Sequence, residues 1–144
     1  MILVDANLLI YAYNPSAPQH EPSRTWLAAQ LNGSIAVGLP WSSLLAFVRI
    51  SSHPRLRQPA VSVADAWRAA ESWLDLPTVW IPTPTERHRT LVGEMLRHAG
   101  AGGNLVTDAH LAALAIEHGL TLCSTDGDFA RFPGLRWQNP IARP

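Results

Sequence analysis

Four aspartates have the type and spacing to do chemistry together. Asp5 closes the aliphatic run Ile2-Leu3-Val4, Asp108 follows Asn104 by four residues, and Asp126 and Asp128 flank Gly127 beyond the apolar run Leu120-Thr121-Leu122-Cys123. Carboxylates gathered in one place repel each other, so a shared site demands raised pKa values or a divalent cation. Oxygen donors with no Cys or His pattern beside them suit a hard ion, Mg²⁺ or Mn²⁺. Each residue also has an ordinary structural role: Asp108 suits a helix dipole, Asp126-Gly127 a turn, Asp128 a cap on the Phe129 segment and Asn7 a helix cap. Asp5 resists such a reading, because a charge at the end of a buried strand is costly unless it is compensated.

Elements that would bring these aspartates together follow from the pattern around them. Unbroken aliphatic runs at Ile2–Val4 and Leu120–Ser124 read as strands buried on both faces, as in the centre of a parallel sheet. Further short strands are expected at Ser34–Leu39, Val79–Ile81 and Leu135–Gln138. Helices are expected from Ala6 to Tyr13, Glu21 to Leu31, Ser43 to Ser51, Ser62 through Leu76, Thr83 to about Ala99 and Asn104 to Glu117. Ser62 and Thr83 serve as N-caps, and Gly33 and Gly119 follow helix ends. Leu44, Leu45, Phe47, Val48 and Ile50 leave the third helix few polar positions, so it should be buried or line an interface. Strands and helices alternate, which argues a parallel sheet wrapped by helices. Ligands gather beyond the carboxyl ends of such strands, so Asp5 and Asp126 meet at one edge, with Asp108 in the first turn of its helix.

Composition narrows the function classes. The 144 residues suit one domain over positions 1–144; 47% are hydrophobic and 15% charged, which excludes a disordered segment or a coiled coil. The lone Cys123 excludes an internal disulfide and reads as a buried, inert strand thiol. No run approaches the roughly 18 to 20 apolar residues that span a bilayer, so no membrane and a cytoplasmic location are expected. Eleven basic and eleven acidic residues balance, so a polyanion would be held by a local patch. Every basic residue is Arg and none is Lys, while the six His show no H-x-x-x-H spacing. Gly100-Ala101-Gly102-Gly103 has no phosphate-loop spacing and reads as a mobile loop. Six Trp exceed what a core of this size readily encloses, which points to an exposed one such as Trp41 or Trp73.

Taken together, the strand ending Asp5-x-Asn7, then Asn104-x-x-x-Asp108-Ala109-x-Leu111-Ala112, then Thr125-Asp126-x-Asp128-Phe129 resembles the PIN-domain ribonucleases, specifically the VapC-type toxins of toxin-antitoxin pairs. The resemblance implies an α/β fold, a three-layer α/β/α domain with a central, mainly parallel sheet, and Mg²⁺-dependent cleavage of RNA. It also implies a homodimer and a cognate antitoxin protein. Carried onto this chain, Asp5, Asp108 and Asp126 are the expected catalytic and metal-binding acids, and Asp128 is an outer member. Asn7 and Thr125 support them, and Arg49, Arg55 and Arg57 are candidates to hold RNA phosphates. One departure weakens a two-metal arrangement: in Trp41-Ser42-Ser43-Leu44-Leu45-Ala46-Phe47-Val48-Arg49 the family's usual Glu is Ala46, although the Arg three residues on is kept. Two rival readings remain: a PIN-like binding module whose missing acid cost it activity, and an aspartyl-phosphate phosphatase. The second wants an acid where this chain has Asn7, and a Lys.

Overall fold

The computed structural model describes residues 1–100 and 103–143. Five strands, β1 (Ile2–Val4), β2 (Val37–Gly38), β3 (Val79–Trp80), β4 (Thr121–Cys123) and β5 (Trp137–Gln138), form one sheet in the order β3-β2-β1-β4-β5. Every neighbouring pair is parallel. The aliphatic run that opens the chain is therefore the central strand, as its lack of alternation predicts. Among the described residues the other elements are the α-helices α1 (Ala6–Tyr13), α2 (His20–Leu31), α3 (Trp41–Ser51), α4 (Val63–Leu74), α5 (His88–Leu96) and α6 (Asn104–Glu117), and a 3-10 turn (Gly127–Arg131).

Alternation of side chains along the two central strands divides the core into two layers. Leu3 and Leu122 pack with Met95, Ala109, Ala112 and Phe129 on the α5/α6 side. Val4 and Cys123 pack with Leu8, Leu27, Leu44 and Phe47 on the side of α1 to α4. The result is the three-layer α/β/α arrangement. From β1 the chain steps one way to β2 and β3, then returns through α6 to β4 on the other side of β1. The strand order thus switches between β1 and β4, where open α/β sheets place their ligands.

Several element boundaries differ from the sequence reading. All strands but β1 are shorter than expected, because a ladder extends only where a neighbour's backbone is in register, and β1 itself has three residues. Thr83 does not cap the fifth helix, which starts at His88 and ends at Leu96. The Thr85 N–H donates instead to Glu117 Oε1 at 2.9 Å, so α6 ties down this segment ahead of the helix. The third helix begins two residues early, with the Ser43 and Leu44 N–H groups both donating to the Pro40 carbonyl. It buries Ser43, Leu44, Phe47 and Ser51 but leaves Trp41 and Leu45 exposed. Of the two tryptophans expected outside, Trp41 is exposed and stacks on Trp67, whereas Trp73 is half-buried and packs on Phe47 of the core. Ser62 caps α4 as expected, its hydroxyl accepting from the Asp65 N–H. Half of the expected Gly100–Gly103 loop, positions 101 and 102, lies outside the described residues. Among the described residues no helix is long and apolar enough to cross a membrane.

Candidate active site

Asp5 leaves β1 with its N–H still in the ladder, donating to the Cys123 carbonyl at 3.0 Å, and then caps α1. Its Oδ1 accepts from the Ala6 N–H at 2.7 Å, and its Oδ2 accepts from the Ser124 hydroxyl at 2.7 Å. Ser124, fully buried at the end of β4, is the hub. Its Oγ also accepts from Asn7 Nδ2 and from the Asp126 N–H, both at 3.0 Å. One hydroxyl thereby joins Asp5, Asn7 and Asp126 across the switch point. Asp126 Oδ1 accepts from the Asp128 N–H at 2.9 Å and caps the 3-10 turn Gly127–Arg131. Arg131 reaches back to Asp128 Oδ1 at 3.3 Å.

Asp108 approaches from α6. It is the fifth residue of that helix rather than a member of the first turn, so the helix terminus does not account for it. Burial, then the charges of Asp126, Asp5 and Asp128, push its carboxyl up to about 6, with Arg131 offsetting part of the effect. Burial also holds the Asp5 carboxyl above its ordinary range, against the hydrogen bonds from Ser124 and Ala6, and Asp126 adds to the rise. The two aspartates share a cavity of about 150 Å³ whose walls include Ser42, Ser43, Ala46 and Arg49 from α3 and Thr107 from α6. A larger cavity of about 290 Å³, between α1, α2 and α4, is lined by Tyr13, Leu27, Leu31 and Trp73 and holds none of the aspartates.

The expected residues fall into three groups. Asp5, Asp108, Asp126 and Asn7 converge, with Asp128 at the exposed margin. Thr125 is half-buried between Ser124 and Asp126, but the hydroxyl that links the carboxylates is that of Ser124. Among the arginines, Arg49 borders the cavity and Arg55 stands exposed on the loop after α3. Arg57 is withdrawn from phosphate binding: it is 9% exposed, with its guanidinium 4.9 Å from the Tyr13 ring centre at the far end of α1. Its stem is buried and its guanidinium makes a cation–π contact with Tyr13, while Nε and Nη1 are buried without a hydrogen-bond partner. Cys123 is buried, and burial pushes its thiol up to about 11, consistent with an inert role.

Sequence reasoning missed Ser124, Ser42, Ser43 and Arg131. The one available signal for Ser124 was its place at the end of the strand beside Asp5. Among the described residues no three His, Cys, Asp or Glu side chains already stand close enough to enclose an ion. The donor chemistry nonetheless fits a hard cation. Besides the carboxylates, the buried oxygens Asn7 Oδ1, Ser42 Oγ and Ser43 Oγ have no hydrogen-bond partner, and Ser42 and Ser43 are among the residues lining this cavity.

Comparison with known proteins identifies the family. The PIN domain family model matches residues 2–135. Ribonuclease VapC37 of Mycobacterium tuberculosis is 44% identical over 142 residues, covering 99% of both chains. In structure, the chain is similar to Mycobacterium tuberculosis VapC20, described as a sarcin-ricin loop cleaving toxin, with a TM-score of 0.69, 19% identity and coverage of 94% and 99%. It is similar also to VapBC2 from Rickettsia felis bound to a DNA fragment from their promoter, with a TM-score of 0.66, 18% identity and coverage of 96% and 98%. The family-model match over residues 2–135, together with likeness to a VapC ribonuclease over 99% of both chains, shows that this chain belongs to the PIN-domain family, in its VapC branch.

Proposed function

We propose that this protein is a Mg²⁺-dependent endoribonuclease, acting as the toxin of a toxin-antitoxin pair. The observation that carries the reading is the Asp5–Ser124–Asp126 linkage, with Asp108 facing the same cavity from α6. Asp5, Asp108 and Asp126 would hold Mg²⁺, or Mn²⁺ in its place, with Asp128 as an outer member. When bound, such an ion activates water and offsets charge at a phosphodiester. Asn7 and Ser124 keep the Asp5 carboxylate in one orientation. Arg49, at the cavity border, binds a flanking phosphate, and the exposed Arg55 adds a weaker contact. Water adds to phosphorus as the bond to the 3′ oxygen breaks, leaving 5′-phosphate and 3′-hydroxyl ends, and no side-chain nucleophile is needed.

A homodimer, a cognate antitoxin and a cytoplasmic location belong to the same proposal. A VapBC assembly among the similar structures supports the antitoxin partner. The binding-module reading rests on Ala46, which leaves α3 without a carboxylate in the cavity. The aspartyl-phosphate reading is not favoured: Asn7 is committed to Ser124, and the chain has no Lys. The deciding experiment maps RNA ends after induction of the wild type and Asp5→Ala side by side. New 5′-phosphate ends and growth arrest with the wild type alone support the nuclease. Absence of cleavage by the wild type freed of partners refutes it and favours the binding module.

A further inference from the structure

His110 and Glu117, two turns apart on one face of α6, meet the first residue of α5. His88 lies between them. Its Nδ1 is 3.1 Å from Glu117 Oε2 and its Nε2 is 3.0 Å from His110 Nδ1, with the two rings crossing at 74°. The Glu117 side chain is fully buried, and its other oxygen accepts from the Thr85 N–H at 2.9 Å. A carboxylate accepts, so His88 Nδ1 carries the proton and His88 Nε2 turns its lone pair toward His110. One hydrogen, on His110 Nδ1, then joins the two rings. The chemistry of the acidic cavity uses none of these groups. His110 follows Asp108 by two residues, a spacing that turns the two side chains to different faces of α6.

The geometry points to His88 Nε2 and His110 Nδ1 as a second metal site, binding a transition-metal ion of the Zn²⁺ class, with Glu117 as the carboxylate behind His88. Two imidazole nitrogens on a tetrahedral Zn²⁺, each about 2.0 Å from it, stand about 3.3 Å apart, so the rings need part by only about 0.3 Å. The proton on His110 Nδ1 passes to its Nε2, the ring stays neutral, and the ion takes the place of the shared hydrogen. Glu117 fixes the tautomer of His88 and raises the basicity of its Nε2, as carboxylates behind metal-bound histidines do. His118 does not join them, because its Nε2 is committed to the Thr83 carbonyl at 2.7 Å. Two protein nitrogens leave the other coordination positions to water. The His88 side chain is 14% exposed and His110 is half-buried, so neither ring is sealed from solvent. Imidazole favours Zn²⁺, Ni²⁺ or Cu²⁺, whereas carboxylates suit Mg²⁺ and Mn²⁺, so the two sites sort different ions. An ion here ties the start of α5 to α6.

The test is a calorimetric titration of the tag-free, full-length protein with ZnCl₂, read beside nitrogen-15 NMR of the histidine rings and melting curves with and without the ion. Zn²⁺ can also enter the acidic cavity, so Asp108→Asn serves as reference next to the wild type, and His110→Ala and Glu117→Gln are each added to it. The reference protein takes up one Zn²⁺ and melts at a higher temperature with it. Its His88 Nε2 and His110 Nδ1 resonances shift on binding. His110→Ala abolishes that uptake. Glu117→Gln, which keeps an acceptor for the Thr85 N–H and for His88 Nδ1, weakens it by about tenfold to a hundredfold. Absence of Zn²⁺ uptake by the reference protein, or shifts confined to other histidines, overturns the inference. Unchanged affinity in His110→Ala overturns it too. Should the melting curve of His110→Ala show that it does not fold, equal Zn²⁺ affinity in Glu117→Gln and the reference overturns it instead.

Discussion

Replacing Asp108 with Asn separates the stability of the metal-free protein from the function of its site. The Asp108 carboxyl is raised from its ordinary 3.8 to about 6, chiefly by burial and then by Asp126, Asp5 and Asp128. A carboxyl whose pKa is higher in the folded than in the unfolded chain holds its proton more tightly in the fold. Its favourable contribution is complete below pH 3.8 and is lost as pH rises through about 6. Above that pH the charged form opposes folding. The interval corresponds to about 3 kcal/mol, and since the side chain is only half-buried, solvent screening reduces this to about 1–2 kcal/mol. Asn, neutral and nearly isosteric, removes the cost. Urea unfolding in EDTA should therefore show Asp108→Asn more stable than wild type by about 1–2 kcal/mol at pH 7.5, or about 3–8 °C in melting temperature. The gain shrinks between pH 6 and 4 and vanishes below, while stabilisation by added Mg²⁺ and RNA cleavage are both lost. A variant less stable than wild type at pH 7.5, or a gain independent of pH, would refute the claim that burial and the neighbouring carboxylates raise the Asp108 carboxyl in the metal-free fold.

Two more substitutions test the supporting network. Ser124→Ala removes a donor to the Asp5 carboxylate and an acceptor for Asn7 and Asp126, so it should cost about 2–4 kcal/mol in urea unfolding. It should also raise the Asp5 carboxyl further, followed by carbon-13 NMR; unchanged stability together with an unmoved titration contradicts the hub role. Glu117, its side chain fully buried, accepts from the Thr85 N–H at 2.9 Å and meets His88 Nδ1 at 3.1 Å, and His88 Nε2 in turn lies 3.0 Å from His110 Nδ1. Glu117→Ala should cost about 2–3 kcal/mol and leave Mn²⁺ affinity untouched; a variant that keeps its stability but loses metal would reverse the assignment of this cluster to the fold.

The sequence alone determined the features that depend on neighbours a few residues away. The unbroken apolar run before Asp5 marked a central strand, and Asn104–Glu117 was legible from end to end because strong helix formers fill it and Gly119, with φ of +66°, follows it. A charged residue at the end of a buried strand announced Asp5, and the parallel alternation implied that Asp126 shares its edge. The resemblance of the three aspartate motifs to the VapC group then tied those acids to a function. Tertiary structure decided what depends on register and on contacts between distant segments. Ser124 became the hub because Val4 pairs with Cys123, which sets its hydroxyl against a carboxylate 119 positions away. Glu117 overrode the local start signal at Thr83-Pro84 by drawing the Thr85 N–H to α6. Arg57, indistinguishable from Arg55 in the chain, is buried because Tyr13 offers its ring from the end of α1. Periodicity and capping report what a segment prefers in isolation; which hydroxyl meets which carboxylate is settled only when the sheet brings the ends of β1 and β4 side by side.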